Sequence, residues 1–270
     1  MRTVRLVDTT LRDGGQSPGF AFSRSTKVAL TRLLDEAGVF QIEAGVPAMG
    51  KEECADIRAI KKACSSARVS VWNRARRSDL EASFTCGADC IHICLPVSGR
   101  HIQEKLQITP EAALESFLDC VSLAQSEGYE LSAGFEDSSR AEPDFLLQAA
   151  RAYKQMGGLR LRLSDTVGVF TPAQAAELAG LLVAEGLEVE IHTHNDLGMA
   201  EANALSAALA GASYVDTTIL GIGERAGNCH MRRFTRLAFG SKELSTAVSE
   251  QAAIFVEEKA AQLFFRSEQK

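Results

Sequence analysis

The stretch Leu187-Glu188-Val189-Glu190-Ile191-His192-Thr193-His194-Asn195-Asp196 alternates apolar and acidic residues and then sets two imidazoles two positions apart. Period-two alternation describes an extended segment, and residues i and i+2 of a strand share a face, so both rings can reach one metal ion. A polar pair at the carboxyl end of a strand suggests a site. A surface or hydrogen-bonded His-x-His with no metal is the plainer alternative for the motif taken alone.

Working outward, short apolar runs alternate with longer helical patterns along the whole chain, and no linker or low-complexity stretch divides it. Strands are expected near Val4 to Asp8, Phe40 to Ala44, Val69 to Trp72, Cys90 to Leu95, Glu130 to Phe135, Leu159 to Leu163, Glu188 to His192 and Tyr214 to Ile219. Helices are expected over Ser23 to Ala37, followed by Gly38, over Pro110 to Glu127, followed by Gly128, and from Pro172 to about Ala184. Strictly alternating strands and helices argue for a parallel sheet, and eight strands close a barrel. The expected architecture is α/β, a (β/α)8 TIM barrel as one domain over residues 1–240, with a short C-terminal helical extension over 241–270. A doubly wound open sheet is the runner-up, but no Gly-x-Gly-x-x-Gly follows the first strand as a dinucleotide site requires.

Bulk properties narrow the function classes. The chain has 270 residues, 46% hydrophobic and 24% charged, with a formal net charge of −6 and no dense Lys/Arg run. That composition suits one large globular domain and offers no nucleic-acid footprint or membrane-surface patch. Arg74-Ala75-Arg76-Arg77 reads as a solvated helix start. The amino terminus lacks the apolar core of an export signal, and no segment reaches membrane-spanning length, so a soluble, cytoplasmic protein is the expectation. Seven scattered cysteines are expected as reduced thiols. Cys86, Cys90 and Cys94 match no usual ligand spacing, and Cys90 and Cys94 flank His92 as interior packing.

Polar residues collect where the strands should end: Asp8, Arg12 and Asp13 after the first, Glu43 in the second, His92 in the fourth, Glu136 and Asp137 after the fifth, Asp165 and Thr166 after the sixth. In a barrel of this kind those ends form the active face. Asp13 beside His192 and His194 supplies one hard oxygen and two nitrogen ligands with positions left open, a set suited to Mg²⁺, Mn²⁺ or Zn²⁺. Arg12 next to Asp13 is placed to stabilise an anionic oxygen developing on a carbonyl held at that ion.

At this point several long motifs in order carry a resemblance. Asp8-Thr9-Thr10-Leu11-Arg12-Asp13-Gly14-Gly15-Gln16, Glu43, His192 to Asp196 and Gly221-Ile222-Gly223-Glu224-Arg225-Ala226-Gly227-Asn228 resemble the signatures of the DRE-TIM metallolyase superfamily. Within it the chain is most similar to nitrogen-fixation-type homocitrate synthases, through Ile42 to Gly50, His92 to Ser98 and Phe135 to Phe145, and the match covers about residues 4 to 240. The resemblance implies Asp13, His192 and His194 as metal ligands, with Asn228 as a further oxygen donor, Arg12 at the oxyanion and Glu43 ordering the arginine or water. It implies that His92, Glu136 and Thr166 hold or polarise the 2-oxo acid, that the Gly221 to Asn228 loop, with Glu224, lies where acetyl-CoA approaches, and that Gln16 is a substrate-binding residue. The implied chemistry is a Claisen condensation: a base takes a methyl proton from acetyl-CoA, the enolate attacks the keto carbon of 2-oxoglutarate, and thioester hydrolysis releases homocitrate and CoA.

Each residue also has a structural reading. Glu43 and Glu136 can be arginine partners, His92 a satisfied interior histidine, Thr166 a turn cap and Asn228 a helix cap. Two departures from the family pattern stand out. Gly15 occupies a position where condensing members carry glutamate, and homocitrate synthases continue into a helical subdomain, whereas here only residues 241 to 269 follow the barrel. Ala253, Ile254, Val256, Ala260, Leu263, Phe264 and Phe265 form an apolar set in that tail, fit to pack on the barrel or to dock another chain. The expectation is therefore a homo-oligomer or the barrel subunit of a split enzyme, completed by a partner. Isopropylmalate- or citramalate-synthase-like condensation, cleavage of a 3-hydroxy-3-methylglutaryl-CoA-like substrate, and a non-catalytic metabolite-binding barrel remain the alternatives.

Overall fold

The structure, a computed structural model, describes residues 1–266, the last two by their backbone alone. Eight parallel strands alternate with helices: β1 (Arg2–Asp8), β2 (Gln41–Glu43), β3 (Arg68–Arg74), β4 (Cys90–Pro96), β5 (Glu130–Glu136), β6 (Arg160–Asp165), β7 (Glu188–Thr193) and β8 (Tyr214–Thr217). They pair in sequence order, and β1 pairs with both β8 and β2, which closes the sheet into a (β/α)8 barrel.

The connecting helices are α1 (Arg24–Glu36), α2 (Lys51–Ala63), α3 (Arg77–Ser83), α4 (Gly99–His101, continuing as a π-helical turn over Ile102–Leu106), α5 (Pro110–Ser126), α6 (Pro143–Gln155), α7 (Pro172–Ala184), α8 (Ala200–Leu209) and α9 (Met231–Ser241). Their starts follow from capping chemistry. Ser23 and Thr109 accept the N–H groups of Thr26 and Ala112, and Thr171 forms a reciprocal capping box with Gln174 ahead of Pro172. Gly38 and Gly128, at φ +88° and +78°, stop α1 and α5 in the left-handed conformation that glycine tolerates best.

Period two along each strand separates two environments. Leu161, Leu163, Val189 and Ile191 are fully buried in the layer between sheet and helices, whereas Arg160, Arg162, Glu190 and His192 alternate with them and are buried inside the barrel. Of the two acidic residues that mark the seventh strand in the sequence, Glu188 at its start is exposed, whereas Glu190 is wholly enclosed.

The segment after the barrel is not wholly helical. A ninth strand, β9 (Leu244–Thr246), pairs in parallel with Arg2–Val4, and α10 (Glu250–Arg266) follows. Val256, Ala253 and Ala260 of α10 are buried, as expected of a helix packed on the barrel, and Phe264 packs on Phe20 and Phe22; the side chain of Phe265 lies outside the described residues. No described helix is long and apolar enough to cross a membrane.

Candidate active site

The turn after β1 is built by its own side chains. Asp8 accepts hydrogen bonds from the backbone N–H and hydroxyl of Thr10, whose hydroxyl accepts the N–H of Ile219 across the barrel mouth. The carbonyl of Thr9 then accepts the N–H groups of Arg12, Asp13 and Gly14, curling the chain so that Arg12 and Asp13 sit over the strand ends. Gly14 is required by close approach, because a Cβ there would lie 2.9 Å from the Ile222 side chain.

Over those ends Asp13, His192 and His194 converge, one ligand atom of each lying within 4.8 Å of the others. His192 Nε2 is 2.9 Å and His194 Nε2 3.7 Å from Asp13 Oδ2. Asp13 Oδ1 and His194 Nδ1 are buried without a hydrogen-bond partner. Buried acceptors left unpaired cost free energy unless something satisfies them, and one carboxylate with two imidazoles is a donor set that fits a divalent cation. Asn228 Oδ1 is likewise buried and unpartnered, while its backbone bridges to His194.

Charge organises the cluster. Burial works to raise the Asp13 pKa, but the guanidinium of Arg12, whose Nη1 lies 3.2 Å away, and the two imidazoles outweigh it and hold the carboxyl well below its usual range. Burial works against protonation of His192, but hydrogen bonds to Asp13 and Asp216 raise it to about 9. His194 is pushed down to about 4 by burial and by His192. Beneath Arg12, Glu43 accepts from its Nε at 2.6 Å.

A cavity of about 420 Å³ opens over this cluster. Of the residues singled out in the sequence, it brings together Arg12, Asp13, Gln16, Glu136, Thr166, His192, His194 and Glu224 on its walls. Glu43, His92 and Asn228 do not line it. Glu43 and His92 are fully buried; His92 shares a hydrogen bond through Nδ1 with the Ser132 hydroxyl at 2.8 Å, and its unpaired Nε2 fills the space a Cβ on Gly134 would take. Thr166 faces the cavity and also accepts the N–H of Asp137. Glu136 pairs with Lys105 at 2.9 Å.

Sequence reasoning passed over Trp72, Lys105 and Arg162, which share these walls, and Asp216 and Glu190 below them; Arg74, expected in a solvated helix start, instead ends β3 on the cavity wall and pairs with Asp79 at 2.7 Å. One signal was available. Arg160-Leu161-Arg162 and Glu188-Val189-Glu190 carry opposite charges at the same period, and they lie in register, Arg160 opposite Glu188 and Arg162 opposite Glu190.

A closed parallel barrel with a carboxylate, two imidazoles and an arginine gathered at the carboxyl ends of its strands defines a class, that of (β/α)8-barrel proteins with a candidate cation-binding cluster on the face where such barrels carry their sites. The chain belongs to the HMGL-like family, whose model matches residues 3–254. It is 47% identical over 229 residues to homocitrate synthase 1 of a Nostoc species, covering 84% of this chain and 61% of that protein. It is 42% identical to 2-isopropylmalate synthase 2 of Caldanaerobacter subterraneus, covering 84% of this chain and 59% of that one. With the homocitrate synthase subunit alpha of Clostridium pasteurianum it shares 39% identity over 87% of each chain. Against the first two, the chain spans about three fifths of the relative's length. The fold is also that of hydroxymethylglutaryl-CoA lyase from Pseudomonas aeruginosa, with a TM-score of 0.83, 21% identity and coverage of 97% of this chain and 93% of that one.

Proposed function

We propose that this chain is the barrel component of a metal-dependent acyltransferase that condenses acetyl-CoA with a 2-oxo acid, 2-oxoglutarate in the homocitrate-synthase reading. The observation that carries the proposal is the convergence of Asp13, His192 and His194 within 4.8 Å, with the Arg12 guanidinium 3.2 Å from Asp13 on the same cavity wall. A divalent ion bound by those three residues, with Asn228 as a further oxygen donor, supplies Lewis-acid polarisation of the 2-oxo group.

The chain's own groups do the rest. Arg12, fixed by Glu43, points its remaining N–H groups at the oxygen that becomes anionic during carbon–carbon bond formation. Glu136, Thr166 and Lys105 hold the oxo acid on the β5 and β6 side, while His92, buried behind that wall, does not reach it. Gln16 and Glu224 bound the opposite side, where the thioester enters.

A second acceptor class has an observation in its favour. An adjoining bay of about 430 Å³ shares Trp72, Arg74, Cys94, Lys105 and Glu136 with the main cavity, and its further walls are apolar at Leu95, Pro96, Leu106 and Ile108, with Arg76 and Ser116 as polar members. An apolar 2-oxo acid such as 2-oxoisovalerate fits that surface, and one relative carries an isopropylmalate synthase name. The Clostridium relative, similar along 87% of its length, is named as one subunit, which supports a hetero-oligomer with a second chain.

The test is CoA release from acetyl-CoA in the presence of Mn²⁺ or Mg²⁺ with 2-oxoglutarate, 2-oxoisovalerate and pyruvate in parallel, alone and with a candidate partner chain. Release that needs both ion and oxo acid, and falls about 10³-fold or more in Asp13→Asn, supports the proposal. Ion binding and oxo-acid binding without turnover under any of these conditions favours a non-catalytic barrel instead. Cleavage of a 3-hydroxyacyl-CoA favours a lyase.

A further inference from the structure

We propose that Arg162 is a positioning residue that fixes the spacing between the ion-binding cluster and Arg12, by holding on one guanidinium the carboxylate beneath each of them. The proposal rests on reading Asp13, His192 and His194 as ion ligands.

Arg162 stands in the middle of β6 with 1% of its surface exposed. Its Nε donates to Glu190 Oε1 at 2.7 Å and lies 2.9 Å from Asp216 Oδ2, and its Nη2 lies 2.8 Å from Glu43 Oε2. Two arms rise from it. On one, Asp216 Oδ2 is 2.9 Å from His192 Nδ1, which turns Nε2 toward Asp13 at 2.9 Å. On the other, Glu43 accepts from Arg12 Nε at 2.6 Å, and Arg12 Nη1 is 3.2 Å from Asp13 Oδ2. Both arms end on the same carboxylate, so Arg162, Asp216, His192, Asp13, Arg12 and Glu43 form a closed ring drawn from five strands and strand ends.

The ring explains why so costly a group is buried. A guanidinium taken out of water is stabilised only by good geometry with opposite charges, and its rigid planar fork can face two carboxylates at a fixed separation, which a lysine ammonium cannot do. Asp216 acts on His192 as an outer-shell carboxylate acts on an ion-binding imidazole: it fixes ring orientation and leaves the outward nitrogen for the ion. Because Glu43 hangs from the same guanidinium, the arginine aimed at the developing oxyanion is held in a constant place relative to that nitrogen.

The experiment uses the full chain and Mn²⁺ as the probe. Arg162→Lys and Asp216→Asn are each expected to weaken Mn²⁺ binding by about 10- to 100-fold. Phe117→Leu provides the control: it trims a buried side chain packed on Phe135 and Tyr153, away from the ring of charges, so it should lower thermal stability while leaving Mn²⁺ affinity within about twofold. If the native chain binds no Mn²⁺, the ion-site reading fails and this proposal with it. If the native chain binds Mn²⁺ and both ring variants bind it within twofold of native, the ion site stands and the positioning role is overturned. Equal weakening by Phe117→Leu would also overturn it, since the loss would then report general destabilisation.

Discussion

Asp8 illustrates how a residue outside the cavity governs the site. It is fully buried at the end of β1, it accepts from the N–H and the hydroxyl of Thr10, and burial pushes its pKa to about 7 despite those bonds. A carboxyl raised in the fold above its ordinary value of 3.8 binds more protons folded than unfolded between about pH 4 and 7, so its contribution to stability falls as pH rises through that window. Asparagine keeps the acceptor and cannot ionise. Asp8→Asn should therefore gain stability relative to the native chain, on the order of a few kcal/mol, between pH 4 and pH 8 in urea unfolding; a constant difference across that range would contradict the assignment. At this scale the sequence was unevenly legible. Asp13, His192 and His194 meet in space as their motifs suggest, because those motifs sit at strand ends where side chains converge. Arg162 and Asp216 escaped notice because alternation with apolar residues usually signals a solvent-facing strand edge, whereas here the charged face is enclosed by the barrel and satisfied by opposite charges.

Among the elements, the long amphipathic ones were the most readable. The expected start at Ser23 and the expected spans from Pro110 and Pro172 agree with the observed helices to within a residue or so, since cap residues and glycine stops act locally. The sixth strand extends to Asp165, two residues beyond the alternating run, and the eighth ends at Thr217, two residues early. There Leu220 adopts φ +58° within a short 3-10 turn that carries the chain toward the Gly221 loop. β9 was not readable: three residues carry no periodicity, and their pairing depends on β1 running back to Arg2. α10 does more than cover the barrel, since Phe264 packs against Phe20 at 5.2 Å and Phe22 at 5.3 Å, in the segment that follows the Arg12–Gln16 turn. Phe264→Ala should cost about 3 kcal/mol and expose residues 17–22 to limited proteolysis; unchanged stability and cleavage would show that α10 does not secure that segment.

For the whole molecule, the barrel followed from counting strands and helices, because strict alternation admits few other topologies. What alternation could not convey is that this barrel is filled at its centre by Arg160, Arg162, Glu43, Glu190 and Asp216 instead of by branched apolar side chains. Such a core is costly to build, and its upper layer carries the candidate ion ligands, so fold and function share the same buried charges. The cavity walls drawn from β3, β4 and the turn after α4 were not legible, because Trp72 and Lys105 carried no motif to mark them and Arg74 read as part of a solvated helix start. The central claim is that the β1 and β7 ends together form a divalent-cation site. Equilibrium titration with Mn²⁺, read by electron paramagnetic resonance on the native chain and on Asp13→Asn and His194→Ala, tests it most directly. The account predicts one saturable ion per native chain and at least a 10-fold loss of affinity in either variant; no saturable binding to the native chain, or undiminished binding in Asp13→Asn, would contradict it.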